Sequence, residues 1–154
     1  MRRRALLCSP LALMVAGCLP RDPEGSLARV RTDGTLRVGA SPAPPVVLLL
    51  DDGVAGPEPG LIAGYADSLG AVVEWTVAGE QHLVEKLEHY EIDVMIGGLT
   101  SDTPWQQRVG ITRPYAAVPD GDGHGEAKLV MAVPMGENAL LSSLERYLDS
   151  RVGP

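Results

Sequence analysis

Phenylalanine is absent from the 154 residues and aromatics make up only 4% of them, so an aromatic-rich β-sandwich core is excluded. The interior must be built from Leu, Val, Ile and Ala, which favours layered helices and strands. Cysteine is almost missing too: Cys8 and Cys18 both lie near the amino terminus, so the rest of the chain has no disulfide. Basic residues number 13 against 20 acidic, and three of the arginines are Arg2, Arg3 and Arg4; beyond residue 17 the net charge is −10. Such an acidic surface excludes nucleic acid as a partner. No Gly-x-Ser-x-Gly elbow, P-loop or His-Glu-x-x-His motif occurs, so the chain is expected not to be an enzyme, with no catalytic residue and no cofactor. His82 and His89 stand seven apart on one predicted helix, and His124 sits among Asp120, Asp122 and Glu126 without Ca²⁺ or Zn²⁺ ligand spacing, so no metal site is expected.

What is present begins with a targeting signal. Arg2 to Arg4 form a basic start, residues 5–15 an apolar run too short to span a bilayer, and Ala16 and Gly17 supply small residues for cleavage. The sequence Val15-Ala16-Gly17-Cys18 resembles the lipobox of bacterial lipoproteins, which implies lipidation of Cys18 and a periplasmic or cell-surface location on a bacterial membrane. Residues 1–17 are then the signal peptide, and residues 18–34 a polar tether with a short lead-in helix.

Beyond the tether, residues 35–40 alternate as a strand and 46–50 form an unbroken Leu and Val run, read as a buried strand ended by Asp51-Asp52-Gly53. Leu61, Ile62, Tyr65, Ala66 and Leu69 fall at helical spacing, with Gly70 placed as a cap. Residues 71–77 read as a strand, 80–90 as a helix, 92–96 as a strand, and 114–118 and 128–133 as further strands before a helix over 138–147. Strand and helix alternate, which predicts a mostly parallel α/β sheet.

Four segments in this order carry a family resemblance: Gly34-Thr35-Leu36-Arg37-Val38-Gly39, Gly70-Ala71-Val72-Val73-Glu74-Trp75, residues 87–100, and Thr112-Arg113-Pro114-Tyr115. Together they resemble the bacterial extracellular solute-binding proteins of family 3, which deliver amino acids to ABC transporters. The resemblance implies one lobe of a periplasmic-binding-protein type II fold: an α/β lobe with a sheet of about five strands flanked by helices. Residues 35–118 and 128–150 supply that lobe. Residues 119–127 stand as a short linker where the family has its whole second lobe, and short closure of this kind is thermodynamically mild.

The same resemblance places Gly97, Gly98 and Thr100 where backbone groups and a hydroxyl meet an amino-acid ligand, and Ser41 near the first-loop contact. For the glycines, a tight strand-to-loop turn is an equal reading. Trp105 stands where the family has an arginine that grips the ligand carboxylate, and it offers one N–H and no charge. Stacking on a solute and packing beside a helix start are both open to it. Gly60 likewise replaces a common acidic residue. The implied function is a lipid-anchored solute-binding protein related to ABC transport. It is read as reduced or partner-dependent, with weak affinity for a small polar, amino-acid-like solute, and its partners would be an ABC permease or a second-lobe protein. The alternative is an interaction or sensory lipoprotein that uses the lobe to bind protein.

Overall fold

A computed structural model describes residues 22–120 and 125–152, so the leader, Cys18 and His124 lie outside the described residues. The chain enters through α1 (Ser26–Asp33), whose Leu27 and Val30 are buried, so the lead-in helix is packed into the core rather than trailing from it. β1 (Thr35–Ala40) follows, then a hairpin of β2 (Leu48–Leu50) and β3 (Gly53–Ala55), and α2 (Pro57–Ser68). β4 (Val72–Val77), α3 (Glu80–Glu88), β5 (Val94–Ile96), a 3₁₀ turn (Pro104–Gln107) and β6 (Val109–Ile111) continue the chain. It ends with β7 (Ala116–Pro119), β8 (Glu126–Leu129), β9 (Ala132–Pro134) and α4 (Asn138–Val152).

The central sheet has five strands in the order β4-β1-β5-β9-β6. β1 pairs parallel with β4 and β5, while β9 runs antiparallel to both β5 and β6, so four of the five strands point the same way. Alternation along the strands divides the core into two layers. Val38, Val94, Ile96, Met131 and Val133 face α1, α2 and α4, whereas Met95, Val130 and Ala132 face Leu83, Val84 and Leu87 of α3. Strands covered on both faces are expected to be apolar throughout, and Val94, Met95 and Ile96 are all fully buried. Gly39 is required here for close packing: a Cβ at that position would lie 2.6 Å from Ile92 Cδ1 and 2.7 Å from Leu83 Cδ2.

The run over 46–50 does not join this sheet. Val47 is buried, but Leu49 and Leu50 are 46% and 54% exposed, because β2 pairs only with β3 in a separate hairpin. The helix read from Leu61 begins earlier, at Pro57; a proline in the first turn loses no helical hydrogen bond, and its fixed φ suits the start. The expected strand over 128–133 divides in two where its partners change. Up to Leu129 the chain pairs with β7, after which Val130 N–H donates to Leu99 O and Met131 N–H to Thr112 Oγ1. The β7–β8 ladder, from Ala116↔Leu129 to Pro119↔Glu126, folds the chain back over itself beside the central sheet.

Two buried acids fasten the ends of the fold. Asp93 is fully buried and accepts from Arg29 Nη2 at 2.5 Å, Arg37 Nη2 at 2.7 Å and Arg37 N at 2.9 Å, tying α1 and β1 to β5. Glu137 accepts from the backbone N–H of Glu24 at 2.8 Å and Ser26 at 2.7 Å, while Asp22 Oδ1 accepts from Ala139 N at 2.7 Å at the start of α4. No helix among the described residues is long and apolar enough to cross a membrane.

Candidate functional site

Where β1 and β5 end, their two following loops meet, at the edge of a parallel sheet where α/β folds collect ligands. Ser41 is buried, and its N–H donates to Ile96 O at 2.9 Å, which holds the first loop against the end of β5. A Cβ on Gly97 would lie 2.8 Å from Ser41 Cβ. Gly98 has φ 64°, and a Cβ there would meet Ala43 Cβ and Val46 Cγ2 at 3.1 Å, so both steric demands of this turn call for glycine.

The backbone donors of these two glycines are already engaged. Glu58, 1% exposed at the start of α2, accepts from Gly97 N at 2.9 Å and Gly98 N at 3.0 Å through Oε2, while its Oε1 accepts from the Tyr115 hydroxyl. Burial pushes the Glu58 carboxyl above its ordinary range, against the lowering effect of these three hydrogen bonds. Tyr115 is likewise pushed up, by burial and by the adjacent Glu58 charge. Glu58 and Tyr115 therefore form a buried strut that fixes the loop from beneath, so a ligand has to meet other groups of Gly97 and Gly98 than their N–H.

Two cavities lined by described residues open on this edge. One, of about 450 Å³, is mainly apolar and is lined by Ala43, the cis Pro44–Pro45 pair, Val46, Val118, Pro119 and Leu129 together with Gly98 and Thr100. The other, of about 250 Å³, is mainly polar and is lined by Glu80, Leu99, Asp102, Thr103 and Pro104, again with Gly98 and Thr100. The cavities therefore adjoin at two of the residues singled out from sequence. Thr100 Oγ1 donates to Asp102 Oδ1 at 2.5 Å, which holds the Asp102 carboxyl below its usual range. Ser41 lies beneath this edge, packed on Gly97, and lines neither cavity.

Trp105 is placed by the 3₁₀ turn, half-buried against the α3 side of the core. Its Nε1–H donates to Glu80 Oε2 at 3.0 Å, and the Arg108 guanidinium stands 5.5 Å from its ring centroid while pairing with Glu88 at 2.5 and 2.7 Å. The indole thus positions Glu80 at the polar cavity. Sequence reasoning missed Glu58, Glu80, Asp102, Thr103 and Tyr115. Tyr115 lies inside the Thr112 to Tyr115 segment, which carries the resemblance without marking a site, and Glu58 stands near Gly60 with no local cue to its partners. Among the described residues no group of three or more His, Cys, Asp or Glu side chains is arranged to hold a metal ion.

No protein-family model matches the chain. Membrane-bound lytic murein transglycosylase F from two strains of Vibrio cholerae is 31% identical over 99 residues, covering 63% of this chain and 19% of that protein. The chain thus spans about a fifth of the length of these curated relatives. Among solved structures, the arginine-bound form of domain 1 from TmArgBP is 27% identical, with a TM-score of 0.69 over 79% of this chain and 97% of that one. A point mutant of the same arginine-bound domain is 26% identical, with a TM-score of 0.71 over 80% of this chain and 96% of the other. An ancestral cationic amino acid solute binding protein, 16% identical with a TM-score of 0.69, covers 81% of this chain and 93% of its own and shares the fold. These solved neighbours are binding proteins, and two of them are single domains carrying arginine.

Proposed function

We propose that the chain is a single-lobe relative of the family 3, amino-acid-binding solute-binding proteins, and on that premise a non-catalytic solute-binding lipoprotein; likeness to the arginine-bound single domains supports the first step. It is anchored through Cys18 in the extracytoplasmic space and holds a small polar solute at the carboxyl edge of its sheet. The observation that carries this reading is the pair of cavities joined at Gly98 and Thr100, one apolar and one polar, on the edge that the short β7–β8 ladder leaves uncovered. An apolar surface with a few convergent polar groups is the general form of a small-molecule site.

An uncovered site leaves water in competition with every hydrogen bond to the solute, so affinity in isolation is weak and a permease or second-lobe partner completes it. The indole in place of a guanidinium removes one strong contact to a carboxylate, and each loss of about 1.4 kcal/mol is a tenfold loss of affinity.

Titration of the soluble protein beginning at Asp22 with the twenty amino acids, followed by calorimetry and by amide chemical shifts, tests the site. The expected result is shifts in the loops at 41–46 and 97–105 with dissociation constants weaker than about 1 mM. Micromolar binding by the isolated monomer would refute partner dependence, and shifts confined to residues outside these loops would refute the site. For the anchor, metabolic labelling with a fatty acid is expected to mark the wild type and not Cys18→Ser, and labelling that survives the substitution would remove the lipoprotein reading.

A further inference from the structure

The polar cavity lies on the side of the site where the family resemblance sets a carboxylate clamp, but its charge has the opposite sign. Its charged lining residues are the two acids Glu80 and Asp102, and neither lysine nor arginine lines it. Arg108, the cation closest in sequence, is turned over the Trp105 ring and held by both oxygens of Glu88. A second, independent feature is Thr103, which also lines this cavity. It is 6% exposed, and its Oγ1 has no hydrogen-bond partner. A buried hydroxyl without a partner is uncommon, and a ligand donor within reach would satisfy it.

We propose that the polar cavity is a cation subsite that takes the ammonium or guanidinium end of a solute, and that the adjoining apolar cavity takes its hydrocarbon body. The preferred solute class is then an organic amine without a carboxylate, rather than an amino acid. An ammonium supplies only donors, and this cavity supplies acceptors: the carboxylates of Glu80 and Asp102, in a wall whose Thr103 hydroxyl still lacks a partner. A carboxylate in the same place meets two like charges and no compensating cation. The wall formed by Pro44, Pro45, Val46 and Leu129 offers no partner for a second charge, so a zwitterion buries one charge unpaired while a simple amine does not.

This inference rests on the solute-binding reading, and three probes with one hydrocarbon body separate the two. Isopentylamine carries the ammonium alone, leucine both charges, and 4-methylpentanoate the carboxylate alone. Each is titrated against the full-length protein in lipid nanodiscs while the amides of Gly98, Thr100 and Thr103 are followed. The expected order of affinity is isopentylamine, then leucine, then 4-methylpentanoate, with at least a tenfold span from first to last. Glu80→Gln, which keeps an acceptor for the Trp105 N–H, and Asp102→Asn should each weaken isopentylamine by about threefold to tenfold and narrow that span, and added salt should do the same. Leucine or 4-methylpentanoate binding as tightly as the amine would overturn the cation subsite while leaving the solute site standing. An affinity span that neither variant narrows would also overturn the cation subsite alone, whereas no response to any of the three probes would overturn the proposed function itself.

Discussion

Replacing Glu58 by alanine should cost about 3–5 kcal/mol of stability, a large fraction of what a domain of this size possesses. The side chain is 1% exposed and is the acceptor for Gly97 N–H, Gly98 N–H and the Tyr115 hydroxyl. Truncation leaves one buried and two partly buried donors without an acceptor, at roughly 1–3 kcal/mol for the buried one and less for the others, and is partly offset because a carboxylate no longer has to be desolvated. Glu58→Gln should cost only about 1 kcal/mol, since its carbonyl oxygen can serve both glycine donors while its amide donates to a rotated Tyr115 hydroxyl. The pH dependence separates charge from shape. Burial holds the folded-state carboxyl above its ordinary value of 4.5, so between the unfolded and folded pKa the native state binds more protons than the unfolded one. Unfolding free energy then falls as pH rises through that window. The stability of the wild type relative to Glu58→Gln is therefore greatest below the unfolded pKa and declines until the folded pKa is passed. Urea denaturation of the protein beginning at Asp22, from pH 4 to pH 8, measures all three variants. Equal stability of the alanine and glutamine variants, or a wild-type advantage that grows with pH, would refute the strut.

Gly98→Ala should lower stability by about 1–2 kcal/mol, because alanine is disfavoured at φ 64° and its methyl would press on Ala43 and Val46 at 3.1 Å. The same denaturation assay reads it, and a neutral effect would show that the turn can relax. Asp93→Ala should be more damaging, about 3–5 kcal/mol, since it removes the shared acceptor of Arg29 and Arg37 at a fully buried position. A midpoint shift corresponding to under 1 kcal/mol would mean that solvent replaces this acid readily.

The strands legible in the sequence were those with many local cues. β1 begins and ends at Thr35 and Ala40 as read, and α3 begins at Glu80 as read but closes two residues sooner than the pattern suggested. The three-residue β6 shows no period to detect, and the run at 46–50 has the composition of a buried strand but no open position beside β1, whose two neighbours are β4 and β5. The loops at Ser41 and at Gly97 to Thr100 were located, but not what fills their hydrogen bonds. Glu58 reaches Gly97 across 39 residues and Glu80 reaches Trp105 across 25, and pairings of that length leave no trace in local pattern.

The clasp formed by Asp22 and Glu137 also decides how the molecule bears a load. β9 runs from Ala132, opposite Met95, away from the cavities, so Glu137 and the first described residues sit at the far pole of the sheet. A pull applied upstream of Asp22 reaches that pole first. It must break the bonds at Ala139, Glu24 and Ser26 and peel α1 from α4 before any tension is felt along β1. β1 itself is gripped lengthwise on both sides, in parallel register with β4 and β5, and would have to be sheared rather than unzipped. Drag or tethering at the amino terminus is therefore absorbed at one end of the lobe, while the cavities at the other keep their shape.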